Sequence, residues 1–129
     1  MKAKREIRML LAAGIVAGGL GVPVIAAADD APRSYVASPG IYKVIGEDAK
    51  FRVILATWKP GQRDEWHSHA PSAIYVVNDC GTHRNHAPDG KFVDRPRKAG
   101  EVIMIGAIHS HAVENNGTAD CSQVIFEPK

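Results

Sequence analysis

The chain has 129 residues, 45% of them hydrophobic, with 16 Lys+Arg against 14 Asp+Glu for a formal charge of +2. The basic excess lies in Lys2, Lys4, Arg5 and Arg8, and beyond residue 28 the acids outnumber the bases by one. That balance argues against an electrostatic platform for nucleic acid or an anionic membrane surface, and the length allows one small domain with one core.

The basic start is followed by "MLLAAGIVAGGLGVPVI" over residues 9–25 and then by "AAADD". Charge, apolar run and small-x-small site in that order read as a secretory signal peptide over residues 1–28, cut between Ala28 and Asp29. The mature protein is then expected to be periplasmic or secreted, with no membrane contact after cleavage. Residues 29–40, "DDAPRSYVASPG", are polar and punctuated by proline, and read as an N-terminal arm. A single domain is expected over residues 41–129.

Within that domain the sequence breaks into short runs rich in β-branched and aromatic residues. They are "IYKVI" (41–45), "FRVILATW" (51–58), "EWHSHA" (65–70), "SAIYVVND" (72–79), "GTHRNHA" (81–87), "KFVDR" (91–95), "EVIMI" (101–105), "HSHAVEN" (109–115) and "CSQVIFE" (121–127). Turn signals separate them: "KPG" at 59–61, "PDG" at 88–90 and "NNG" at 115–117. About nine strands at this spacing, with no 3.6-residue apolar period, predict an all-β sandwich or barrel. Closure would also dispose of the edges of so many short strands.

Two cysteines, Cys80 and Cys121, lie 41 positions apart with no Cys-x-x-Cys pair, so a thioredoxin-like motif and a zinc ribbon are both excluded. In an exported chain they are expected to pair with each other. No Gly-x-Ser-x-Gly, phosphate-binding loop or dinucleotide fingerprint is present.

The chemistry lies in six histidines. His67-x-His69 and His109-x-His111 each have the spacing that puts both rings on one face of a strand. Neutral imidazole is the commonest metal-binding side chain at physiological pH, and three imidazoles with open positions make a catalytic metal arrangement. His83 and His86 have opposite parity on one strand, so they cannot share a site, and are read as surface residues near a hairpin. Glu65 has the parity of the histidines, which allows either a hydrogen-bond partner to one of them or, more commonly for such a residue, a solvated charge at the rim. Trp66 and Ser68 are expected to face away, and Tyr75 is expected in the core.

Two stretches resemble the motifs of the cupin superfamily. Gly61, five residues, then His67-Ser-His69 is similar to the first cupin motif. Gly100-EVIMI-Gly106-Ala-Ile108-His109-Ser-His111-AVE-Asn115 is similar to the second. The resemblance spans about Ile41 to Glu127. It implies a small antiparallel β-barrel, the jelly-roll-like double-stranded β-helix. It also implies His67, His69 and His111 as ligands of one divalent transition metal, with Fe, Zn, Ni, Mn and Cu undistinguished. His109 matches no ligand of the family and is expected as a neighbour of the site or an alternative ligand.

The resemblance departs at two places: the proline and glycine that the family carries before the last histidine are replaced by Gly106 and Ile108, and an acid is missing from the first motif. Cupins that bind metal commonly carry a glutamate three to five positions after the second histidine, where this chain has Ser72, Ala73 and Ile74. Two readings of function therefore stand side by side. One is a three-histidine metal site that binds, or acts on as an oxygenase or isomerase, a small polar or anionic molecule. The other is a metal-free, non-catalytic barrel that serves as a periplasmic small-ligand-binding module. Pairing of barrels into a homodimer is implied by the resemblance alone.

Overall fold

A computed structural model describes residues 29–129, and the expected signal segment, residues 1–28, lies outside the described residues. A short helix α1 (Ser34–Ala37) precedes nine strands. These are β1 (Tyr42–Glu47), β2 (Phe51–Trp58), β3 (His67–His69), β4 (Ser72–Val76), β5 (Gly81–His86), β6 (Phe92–Arg97), β7 (Val102–Ile105), β8 (Ile108–Asn115) and β9 (Cys121–Pro128). They form a five-stranded sheet in the order β1-β2-β9-β4-β7 and a four-stranded sheet in the order β3-β8-β5-β6. Every pairing between the strands is antiparallel.

Alternation along the strands decides what faces inward. On β2, Ile54, Ala56 and Trp58 are buried while Phe51 is exposed. On β9, Cys121, Gln123, Ile125 and Glu127 are buried. On β4, Ser72, Ile74 and Val76 are buried. Registration places Ile54 beside Ile125 and Ile125 beside Ile74, so three strands contribute one isoleucine row to the core. Tyr42 and Trp58 close it with an edge-to-face contact at 5.3 Å. Each such side chain, fully buried, contributes about 1.5–3 kcal/mol.

Two glycines of the motif stretches occupy positive φ, where a β-carbon is strained: Gly61 at 75° and Gly100 at 82°. Gly61 turns the chain from β2 toward β3, and Gly100 turns it from β6 into β7. The expected disulfide is present between Cys80 and Cys121, with α-carbons 4.7 Å apart. It ties the start of β9 to the residue before β5, beside the buried Val76.

Two features differ from the sequence reading. The arm contains α1 and packs closely: Ser34 and Ser38 are buried, Ser68 N–H donates to Pro32 O, and Ala31 N–H donates to His109 O. It thereby covers the edge of β3, which would otherwise offer unpaired backbone groups. Tyr75, expected in the core, is 43% exposed because it lies at an outward position of β4. It belongs to an apolar outer face with Val102, Met104 and Phe126, all exposed, with Tyr75 registered on Val102 and Ala73 on both Met104 and Phe126.

Candidate metal centre and ligand chamber

β3 is only three residues long, and all three are buried. His67 pairs in register with His111 of β8, whereas His69 pairs with Ile108. Two steps on β3 therefore oppose three on β8, which is a β-bulge. The bulge brings His111 inward and turns His109 out. His109 is exposed and hydrogen-bonded to Asp30, so it does not face the chamber and is not an alternative ligand in this geometry.

His67, His69 and His111 converge, their ligand atoms all within 4.8 Å of one another. The ring centroids of His67 and His111 are 4.4 Å apart, and those of His67 and His69 4.7 Å. His67 Nε2 and His69 Nε2 face each other at 3.0 Å. His67 Nδ1–H donates to the Glu65 carbonyl at 2.8 Å, which leaves the Nε2 lone pair directed inward. Glu65 thus contributes its backbone, and its side chain is exposed.

The acids beside the site are others. Asp64 is buried and accepts from Val113 N–H at 2.6 Å, Tyr42 O–H at 2.7 Å and Trp58 Nε1–H at 3.1 Å. Its Oδ1 lies 3.6 Å from His67 Nδ1. Glu127 is buried with Oε2 3.9 Å from His69 Nδ1, and Oε2 has no hydrogen-bond partner. Both carboxylates stand behind Nδ1 atoms beyond hydrogen-bond distance, so they add negative charge near the rings, while the Glu65 carbonyl orients His67.

Electrostatics favour neutral rings at His67 and His111. Burial pushes the His67 imidazole down to about 4, with His69 adding to the effect. Burial pushes His111 down to about 2, helped by His67 and His69. Burial raises the Asp64 carboxyl to about 6 despite its three donors. Tyr42 is held well above its ordinary value by burial and by Asp64. His111 Nε2 is buried with no partner, an arrangement that costs free energy unless something binds there. The donor set fits a divalent transition ion: three imidazoles with ligand atoms within 4.8 Å of one another, His111 Nε2 among them without a partner. Bound, such an ion would supply Lewis acidity, and three neutral ligands would leave its full charge for whatever occupies the open positions.

His69 and His111 also line a chamber of about 60 Å³, together with Tyr42, Ile74, Ile105 and Ile108 and with His83, Asn85, Arg97 and Gln123. At the three positions of the missing glutamate, Ser72 is inward but its hydroxyl donates to Ala70 O, Ala73 faces outward, and Ile74 lines the chamber. His83 corrects the surface reading: it is 2% exposed, packs edge-on to Trp58 at 4.8 Å, and lines the chamber. The parity argument holds, since His86 lies on the other face, with Glu114 accepting at 2.9 Å. Trp66 does face away, with the Arg63 guanidinium over its ring at 5.3 Å.

Sequence reasoning missed Tyr42, Asp64, Glu127, Asn85, Arg97 and Gln123. The odd-numbered alternation of β9, Cys121-x-Gln123-x-Ile125-x-Glu127, carried the signal for two of them. Asp64 carried none, because residues 59–66 belong to no named strand and parity does not apply there.

No family model and no curated protein matches the sequence. Solved structures do. A cupin domain from Bordetella pertussis Tohama I superposes with a TM-score of 0.62 at 19% identity, over 79% of this chain and 99% of that one. An RmlC-like cupin with a double-stranded β-helix fold from Methanocaldococcus jannaschii gives 0.55 at 8% identity, over 68% and 78%. A protein with a double-stranded β-helix domain from Klebsiella pneumoniae gives 0.54 at 23% identity, over 68% and 76%. The strand order, the antiparallel pairing and these likenesses agree on one architecture: the chain has the cupin fold, a double-stranded β-helix.

Proposed function

We propose that this is an exported metal-binding protein in which His67, His69 and His111 hold one divalent transition metal, and that the metal and the chamber beside it bind a small polar or anionic molecule. The observation that carries this reading is the convergence of three imidazoles, their ligand atoms within 4.8 Å of one another, with the Nε2 of His111 buried and unpartnered. Export is supported by the Cys80–Cys121 bridge, which belongs in an oxidising compartment, and by the signal pattern of residues 1–28. An uncompensated divalent charge favours an anion in the open positions, whether the bound molecule is turned over or only retained. The outer apolar face around Tyr75, Val102, Met104 and Phe126 supports a homodimer through the five-stranded sheet.

Metal analysis of the purified mature protein tests the reading. About one ion per chain is expected in the wild type, with stoichiometric binding lost in His67→Ala, His69→Ala and His111→Ala and kept in His109→Ala and His86→Ala. Full metal content in the triple variant would sink it.

A second reading has its own support. Ile74 supplies a methyl-rich wall at the one glutamate position that faces the chamber, which suits a metal-free barrel that captures a small ligand. A ligand-binding protein purified without metal, and taking none up on titration, is the outcome that selects it.

A further inference from the structure

The chamber beside the three imidazoles has a way out. A groove of about 390 Å³ on the outside of the barrel is bordered by Arg95, Glu101 and Met104. Asn85, Arg97 and Ile105 line both the groove and the chamber, and so form the neck between them. Anything that reaches the imidazoles from this side passes a guanidinium and a carboxamide.

Both polar groups of the neck are uncommitted. Arg97 makes one side-chain hydrogen bond, to its neighbour's carbonyl at Pro96, and no ion pair among the described residues; its Nε is buried without a partner. The side chain of Asn85 makes no hydrogen bond among the described residues, whereas its partner in register, Val93, is on β6 and gives it no side-chain acceptor. Immediately inside, His83 is almost fully buried and its Nε2 has no partner. The Gln123 amide nitrogen lies 3.3 Å from His83 Nδ1, which makes Nδ1 the acceptor and leaves the proton on Nε2. Burial and the nearby Arg97 hold this imidazole down at about 4, so at neutral pH it is an uncharged donor. Arg97 Nε, the Asn85 amide and His83 Nε2 thus line one chamber without a protein acceptor, and buried donors left unpaired are costly.

We propose that Arg97, Asn85 and His83 form an anion subsite in the neck, and that the ligand is a short carboxylic acid of about two to four carbons, its carboxylate held there while its other end reaches the three-histidine centre. The planar guanidinium fork matches a carboxylate bidentately, and the amide and imidazole N–H groups can complete its lone pairs. The size follows from the chamber: 60 Å³ has room for about four to six water-sized occupants, walled by Ile74, Ile105 and Ile108, which suit a short hydrocarbon and not a sugar or a nucleotide. Glu101, on the rim of the groove, opposes a second negative charge outside the neck and restricts the site to ligands that enter fully. This inference deepens the small-anion reading above, but its subsite is built from residues other than the metal ligands.

Isothermal titration of the disulfide-intact mature protein tests it, with malonate as the probe, uncharged malonamide and inorganic phosphate as comparisons, and both metal-free and zinc-loaded samples. Malonate is expected to bind both samples, more tightly with zinc, and malonamide neither. Arg97→Gln should weaken malonate at least tenfold in both samples, Asn85→Ala severalfold, and Arg97→Lys less than Arg97→Gln, with zinc content unchanged in all three. Thermal melts of the variants report folding, and Arg97→Lys keeps the test valid if Arg97→Gln is unstable. If the wild type takes up no zinc while metal-free malonate binding still depends on Arg97, the metal reading fails and the subsite stands. Equal malonate affinity in wild type and Arg97→Gln, malonamide as tight as malonate, or phosphate tighter than malonate would overturn the proposal.

Discussion

At the scale of single residues, the site depends on which side chains the backbone turns inward. His67 and His69 were legible because a two-residue spacing on a strand has one meaning. His111 and His109 have the same spacing and opposite fates, because the β8 bulge inserts a residue that no sequence pattern announced. The same distinction separates Ala73 from Ile74. Ala73 points outward beside Met104 and Phe126, and Ile74 points into the chamber. A carboxylate introduced at each position should therefore behave differently. Ile74→Glu is expected to tighten metal binding by about tenfold or more and to weaken small anions such as azide, since an anionic ligand fills an open position. Ala73→Glu should leave both unchanged. Competition titrations with a chelator measure the first quantity, and equal effects of the two substitutions would show that neither side chain meets the ion.

At the scale of elements, nine strands and their turns were readable from alternation and turn residues, because period two and positive-φ glycines are local signals. What was not readable was non-local. The arm looked like a polar lead-in, yet it lies against the edge of β3 through Pro32 and Ser68 backbone atoms, which carry no side-chain code. Burial of His83 was hidden for a similar reason: it rests on Trp58 across the barrel, a contact between strands far apart in sequence. The disulfide closes one end of this barrel over a separation of 41 residues. The double variant Cys80→Ser/Cys121→Ser is expected to lose about 4 kcal/mol on the chain-entropy account. Urea titration of oxidised wild type and double variant checks this, and a loss below about 1 kcal/mol would mean that the bridge constrains the unfolded chain little.

At the scale of the molecule, the two sheets divide the work. The inner faces hold the isoleucine row, the imidazoles and the neck, and the outer face of the five-stranded sheet leaves Val102 and Met104 63% and 77% exposed. If that face pairs two copies, Val102→Lys/Met104→Lys should convert a dimer to a monomer in sedimentation equilibrium without loss of metal, because both side chains point away from the chamber. A wild type that is monomeric at tens of micromolar would remove the dimer from the account. The likeness to solved cupin-fold structures fixes the architecture and leaves the chemistry to the residues of this chain.

The central claim is that three imidazoles, and no other group, hold a metal at the chamber wall. A crystal structure of the mature protein grown with zinc, with anomalous differences recorded on both sides of the zinc edge, tests it most directly. The account predicts one peak per chain, about 2.0–2.1 Å from a ring nitrogen of each of His67, His69 and His111, with the remaining coordination directed into the chamber. No peak there, or a dominant peak at His83 or between His86 and Glu114, would contradict it.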